Sequence, residues 1–125
     1  STMSIEKHEI KISTTGSAGS ASGSAILALP LCELVAVYLN YHASAPATTD
    51  VTISSPGNPA ALTILTRSNS ATDGWFYPHV NDHDNAAAAV TGSYSDPVVH
   101  GNLLIEVAQA DALTDCLVLT TYVRV

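Results

Sequence analysis

"ELVAVYLNYH", residues 33–42, is the stretch whose reading decides the fold. It is rich in Val, Leu and Tyr, and it is apolar at both odd and even positions. That pattern predicts a central β-strand, or a strand whose second face is covered by a partner. Tyr38 and Tyr41 lie within it as candidate contact or packing residues. The apolar run extends back through "AILALPLCELVAVYL", residues 25–39, where Pro30 and Glu33 interrupt it. That falls short of the roughly 20 apolar residues of a membrane helix, so no membrane partner is expected.

Strand signals continue on both sides. "HEIKI", residues 8–12, puts His8, Ile10 and Ile12 on one face and Glu9 and Lys11 on the other. "TTGSAGSASGSA", residues 14–25, reads as a turn or a glycine-softened hairpin, with 14–24 expected to be flexible, as are residues 1–4. "VTIS" (51–54), "ALTILTR" (61–67), "WFYPHV" (75–80), "NLLIEVAQA" (102–110) and "CLVLTTYVRV" (116–125) are further strands. "SPGNPA" (55–60) and "SNSATDG" (68–74) are turns between them. "DHDNAAAAVTGSYSDP", residues 82–97, reads mostly as loop, with its "NAAAAV" (85–90) as one helical turn or a small-residue strand. About eight short strands without a long helix predict one all-β domain over 1–125, an antiparallel β-sandwich with the jelly roll as its eight-strand form.

Composition narrows the function classes. Charged residues make up only 12% of the 125 residues, so much of the surface is Ser, Thr, Asn and Ala. Few charges lose hydration when such a surface is covered, which suits assembly. Four Lys+Arg against 11 Asp+Glu give a net charge of −7. Lys7, Lys11, Arg67 and Arg124 are too few and too scattered to make a phosphate-binding face, so direct nucleic-acid binding is not expected. The first ten residues, "STMSIEKHEI", carry no signal-peptide pattern. Cys32 and Cys116 each sit in an apolar run and read as buried free thiols, with a disulfide between neighbouring strands as the alternative.

"TDGWFYPHVNDHD", residues 72–84, is the one place where His, Asp and aromatic residues crowd together. In an extended strand Trp75, Tyr77, His79, Asn81 and His83 face one way, and Phe76, Pro78 and Val80 the other. His79 and His83 then stand about 13 Å apart, too far to share one zinc ion. The expectation is a structural or contact strand with no metal, no cofactor and no catalytic role. Trp75, Tyr77 and His79 have the amphipathic aromatic character of interfaces, with Phe76 as a packing candidate. No G-x-S-x-G elbow is present, and "GSAGSASGS", residues 16–24, lacks the Lys of a phosphate loop. The Asp82/Asp84 and Asp111/Asp115 pairs lie in expected turns, where aspartate bonds the backbone. An exposed aromatic platform of Trp75, Phe76, Tyr77 and Tyr94 would alternatively suit a carbohydrate-binding β-sandwich module.

The order "VAVYLNY", "ATTDVTIS", "LTILTRSNSATDGWFYPHV" and "PVVHGNLLIEVAQAD" resembles the capsid decoration, or cement, proteins of tailed bacteriophages. The likeness runs over residues 34–111, and "TDGWFYP" (72–78) is its most distinctive part. The resemblance implies a β-sandwich that sits on the outer capsid surface of the virion, made in the host cytoplasm. It implies two partners: the major capsid protein, and the protein itself as a homo-dimer or homo-trimer. It implies no catalytic residues.

Overall fold

The computed structural model describes residues 4–57 and 59–125, so residues 1–3 of the stretch expected to be flexible lie outside the description. Among the described residues nine strands follow one another: β1 (Ile5–Ile12), β2 (Ala21–Tyr41), β3 (Asp50–Ser55), β4 (Leu62–Arg67), β5 (Gly74–Phe76), β6 (Val80–His83), β7 (Ala89–Ser95), β8 (Val98–Ala110) and β9 (Leu117–Arg124). All their pairings are antiparallel, and no helix occurs among the described residues. Hydrogen bonding runs in the order β1-β9-β2-β8-β3-β4, with β5 also on β2; β6 and β7 pair only with each other.

The 21-residue strand β2 turns this order into a sandwich. Its first leg pairs with β8 from Ala21↔Ala110 to Glu33↔Val98. Its second leg pairs with β9 from Glu33↔Arg124 to Tyr41↔Leu117. Only residues 111–116 join β8 to β9, so Ala21 and Tyr41 lie toward one end of the molecule and Glu33 toward the other. The strand therefore bends back on itself near Glu33. Register shifts between Ala28 and Leu31 and between Leu34 and Ala36 flank that bend. Bulges of this kind are how a strand crosses from one sheet to its neighbour. Pro30, which has no N–H to give, sits within the first irregularity. At the corner Arg124 donates to Glu33 at 3.0 Å and to Asp96 at 3.4 Å.

One layer is β1, β9, the second leg of β2 and β5. The other is the first leg of β2 with β8, β3 and β4. Between them lie Ile12, Leu34, Val37, Leu39, Val51, Ile53, Val99, Leu103, Ile105, Leu117 and Leu119, all fully buried. Alternation produces this core directly: Leu117, Leu119, Thr121 and Val123 are buried, while Val118, Thr120 and Tyr122 are not.

Several expectations change. The stretch 14–24 is partly strand, because β2 starts at Ala21 and Thr15 bridges Ser22 across the 16–20 turn. Gly23 is required there, since a Cβ would sit 2.0 Å from the Ser13 carbonyl oxygen. "WFYPHV" is two strands, not one: β5 stops at Phe76, and Tyr77–His79 have no ladder partners before β6 begins. Pro78, buried and without a donor, suits that break. The stretch 82–97, expected to be mostly loop, contains the end of β6 and all of β7, which brings the strands among the described residues to nine.

Candidate contact surface

The "TDGWF" motif, residues 72–76, is a scaffold that sorts two aromatic rings. The Asp73 carboxylate accepts the Tyr41 N–H at 2.7 Å, fixing the turn to the end of β2. Arg67 donates to the Thr72 carbonyl at 2.7 Å, and its guanidinium lies 4.7 Å from the centre of the Phe76 ring and 5.9 Å from that of Tyr41. Pairing of Gly74, Trp75 and Phe76 with Leu39, Tyr38 and Val37 then sets the faces. Phe76 packs on the core, and Trp75 points outward, 51% exposed.

Trp75 joins an aromatic row on the outer face of the first layer. Its ring centroid is 5.0 Å from that of Tyr38 and 5.5 Å from that of Tyr122, with its ring tilted to each. Tyr38 lies opposite Thr120, which lies opposite Glu9, and Tyr122 lies opposite Lys7. Three strands and the β5 segment thus display one surface of aromatic, hydroxyl and sparse charged groups. This explains the doubly apolar "ELVAVYLNYH": Leu34, Val37, Leu39 and Tyr41 fill the core, while Tyr38 stands on the outer face against Trp75. Tyr41 is therefore a packing residue, 6% exposed; burial raises its phenol above the usual value. Tyr122 was not among the sequence candidates. Alternation along β9 turns it outward with Thr120 and Val118, but only the pairing of β9 with β2 brings it to Trp75.

The β6–β7 ribbon is the second feature. Val80 pairs with Ser95, Asn81 with Tyr94 and His83 with Ala89. Most of its residues on both faces are exposed, including Val80, Val90 and Tyr94. Its hold is local: the Asp82 carboxylate accepts hydrogen bonds from the Ser93 and Ser95 hydroxyls, which lower its pKa below the ordinary value. The Asp84 carboxylate caps the tip by accepting the Ala86 and Ala88 N–H groups at 2.8 and 3.0 Å. His79 packs on Tyr94 with ring centroids 4.0 Å apart, and Tyr77 is exposed beside it. Trp75, Tyr77 and His79 are thus not one row of a single strand. Trp75 belongs to the sheet face, and His79 to the base of the ribbon.

The Asp111/Asp115 pair has structural partners. Asp111 accepts the Gly19 N–H at 2.9 Å, and the Ser13 hydroxyl accepts the Asp115 N–H at 2.9 Å. Cys32 and Cys116 are buried free thiols, both raised in pKa chiefly by burial. Among the described residues there is no group of three or more His, Cys, Asp or Glu arranged to hold a metal ion, and no enclosed pocket. The surface displays exposed aromatic and small polar groups on the sheet, and a ribbon with little core of its own. In comparison with known proteins, the chain matches no protein-family model and no curated sequence.

Proposed function

We propose that this is a structural virion protein that decorates and cements the outer surface of a tailed-phage head by bridging major capsid protein subunits. The observation that carries the reading is the outward presentation of Trp75 by its own motif. The most distinctive part of the resemblance, "TDGWFYP", uses Asp73, Gly74 and Phe76 to hold a large apolar side chain half in solvent, against Tyr38 and Tyr122. Half of that side chain adds nothing to the protein's own burial. Interface anchors are enriched in such aromatic side chains. A charge-poor surface costs little to dehydrate, and a net charge of −7 suits the outside of a shell better than a face toward DNA. Modest contacts repeated over an icosahedral lattice add up without any single strong site.

In this reading the chain folds in the host cytoplasm, joins the virion from outside and works as a homo-oligomer without cofactor or catalysis. One observation favours a second reading, a carbohydrate-binding module: the exposed rings of Trp75, Tyr77 and Tyr94 are of the kind that stack on sugars. Binding of purified protein to undecorated phage heads and to a glycan array separates the two. Saturable head binding that is lost on Trp75→Ala supports the cement role. Glycan binding without head binding replaces it.

A further inference from the structure

We propose that β1 pairs antiparallel with β1 of a second copy, about a two-fold axis through His8, joining the Ile5–Ile12 edges of two sandwiches into one continuous sheet. This deepens the cement reading by naming the self-association edge. It rests on that reading only in taking the oligomer as the form that meets the capsid.

β1 is the end of its sheet: it pairs with β9 and, among the described residues, with no strand on its other side. Ser4 and Val125 exchange both backbone hydrogen bonds, at 3.1 and 2.9 Å. In an antiparallel ladder this alternates, so Glu6, His8, Ile10 and Ile12 direct their backbone groups toward β9. Ile5, Lys7, Glu9 and Lys11 direct theirs outward. The free edge is thus a regular row of unsatisfied donors and acceptors along the strand.

Charged side chains on an edge ordinarily discourage pairing. Here their order makes the edge complementary to itself. Antiparallel partners must share a face, so the two-fold axis passes through a residue position. An axis at His8 sets Lys7 opposite Glu9 of the other copy, twice, and Ile5 opposite Lys11. Every outward N–H and C=O of the strand then meets an outward partner. An axis at Glu9 sets Lys7 against Lys11, and an axis at Lys7 sets Lys7 against itself, both like-charge contacts. An axis at Ile10 pairs Glu9 with Lys11, but it runs Lys7 and Ile5 past the strand end at Ile12, where the Thr15–Ser22 bridge already occupies the chain. Only the His8 register uses the whole strand with opposite charges facing. Lys7 and Glu9 are both exposed, and neither has a salt-bridge partner within its own described chain.

The test uses the isolated 125-residue chain, so its failure leaves capsid binding to be judged separately. Sedimentation equilibrium is run on wild type, Lys7→Glu, Glu9→Lys, the double swap and Lys11→Glu, with circular dichroism confirming the fold of each. The expected result is a wild-type dimer at tens of micromolar. Each of the first two changes should weaken it about tenfold or more, because two like-charge pairs replace two attractive ones. The double swap should restore it, and Lys11→Glu should leave it nearly unchanged. A second variant, His8→Cys, places two thiols at a non-hydrogen-bonded pair with Cα atoms about 4.5 Å apart, within disulfide reach. It should trap a covalent dimer, with Cys32 and Cys116 buried and out of the way. A wild-type monomer, a double swap that fails to rescue, or disruption by Lys11→Glu in place of Lys7→Glu would each overturn the proposed pairing.

Discussion

The Asp73 carboxylate accepts the backbone N–H of Tyr41 at 2.7 Å, across 32 residues of sequence. This one bond ties the turn before Trp75 to the end of the central strand. Replacing Asp73 with Ala leaves that N–H without its charged acceptor. The expected loss is about 1–2 kcal/mol, at the low end for a bond to a charged group because the site is partly open to water. Asp73→Asn keeps an acceptor oxygen and should cost less. Urea unfolding of the three proteins measures both.

Trp75 and Leu119 should separate surface from core. With half its area in solvent, Trp75→Ala is expected to cost about 1 kcal/mol of stability, less than truncation of a buried tryptophan. Its effect on head binding should be about 2 kcal/mol or more if it is an anchor. Leu119→Ala, at a fully buried site, should cost about 3 kcal/mol in stability. Equal destabilisation by the two changes would place Trp75 in the fold's energetics rather than at a contact.

The ribbon should respond to acid before the sandwich does. Hydrogen bonds from Ser93 and Ser95 hold the Asp82 carboxyl below its ordinary 3.8. A depressed folded-state pKa means the stabilisation is complete above the unfolded value. It fades as pH falls from there through the folded pKa. Amide exchange followed by NMR should show the ribbon amides losing protection below about pH 4 while β8 and β9 keep theirs. Asp82→Asn should show weakened ribbon protection already at neutral pH, and unchanged protection would contradict the role given to this carboxylate.

Both thiols should be silent in the native protein. Cys32 is 6% and Cys116 0% exposed, and burial lifts both above the usual 9.0. A thiol reagent at neutral pH should therefore titrate neither within minutes, and both after denaturation. Fast native labelling of either would mean that the layers open readily.

Much of the sandwich is legible in the sequence because one buried face imposes a period of two. "NLLIEVAQA" and "CLVLTTYVRV" place Leu103, Ile105, Val107, Leu117 and Leu119 inward as their alternation predicts. Where neither face is buried, that signal vanishes. Strand β7 lies in a stretch that reads mostly as loop because Asp82, Ser93 and Ser95 hold the ribbon through side-chain hydrogen bonds, which leave no hydrophobic pattern. The unbroken length of β2 is hidden for another reason. Gly23 and Pro30 look like breakers, yet Gly23 answers a close approach of Ser13 and Pro30 sits in a bulge. At the contact surface, Trp75 and Tyr38 stand out by residue type. Tyr122 joins them only through the pairing of β9 with β2, which no local pattern encodes.

The proposed cementing of a phage head is tested by head survival with and without this chain. Heads produced from a phage lacking this protein, and the same heads after adding the purified chain, are heated in low salt while DNA release is followed by dye fluorescence. Rupture is expected at a lower temperature without the protein, with restoration on adding wild type at lattice saturation and little restoration by Trp75→Ala. Heads that rupture at the same temperature in every case, and that retain none of the added protein on sedimentation, would contradict it.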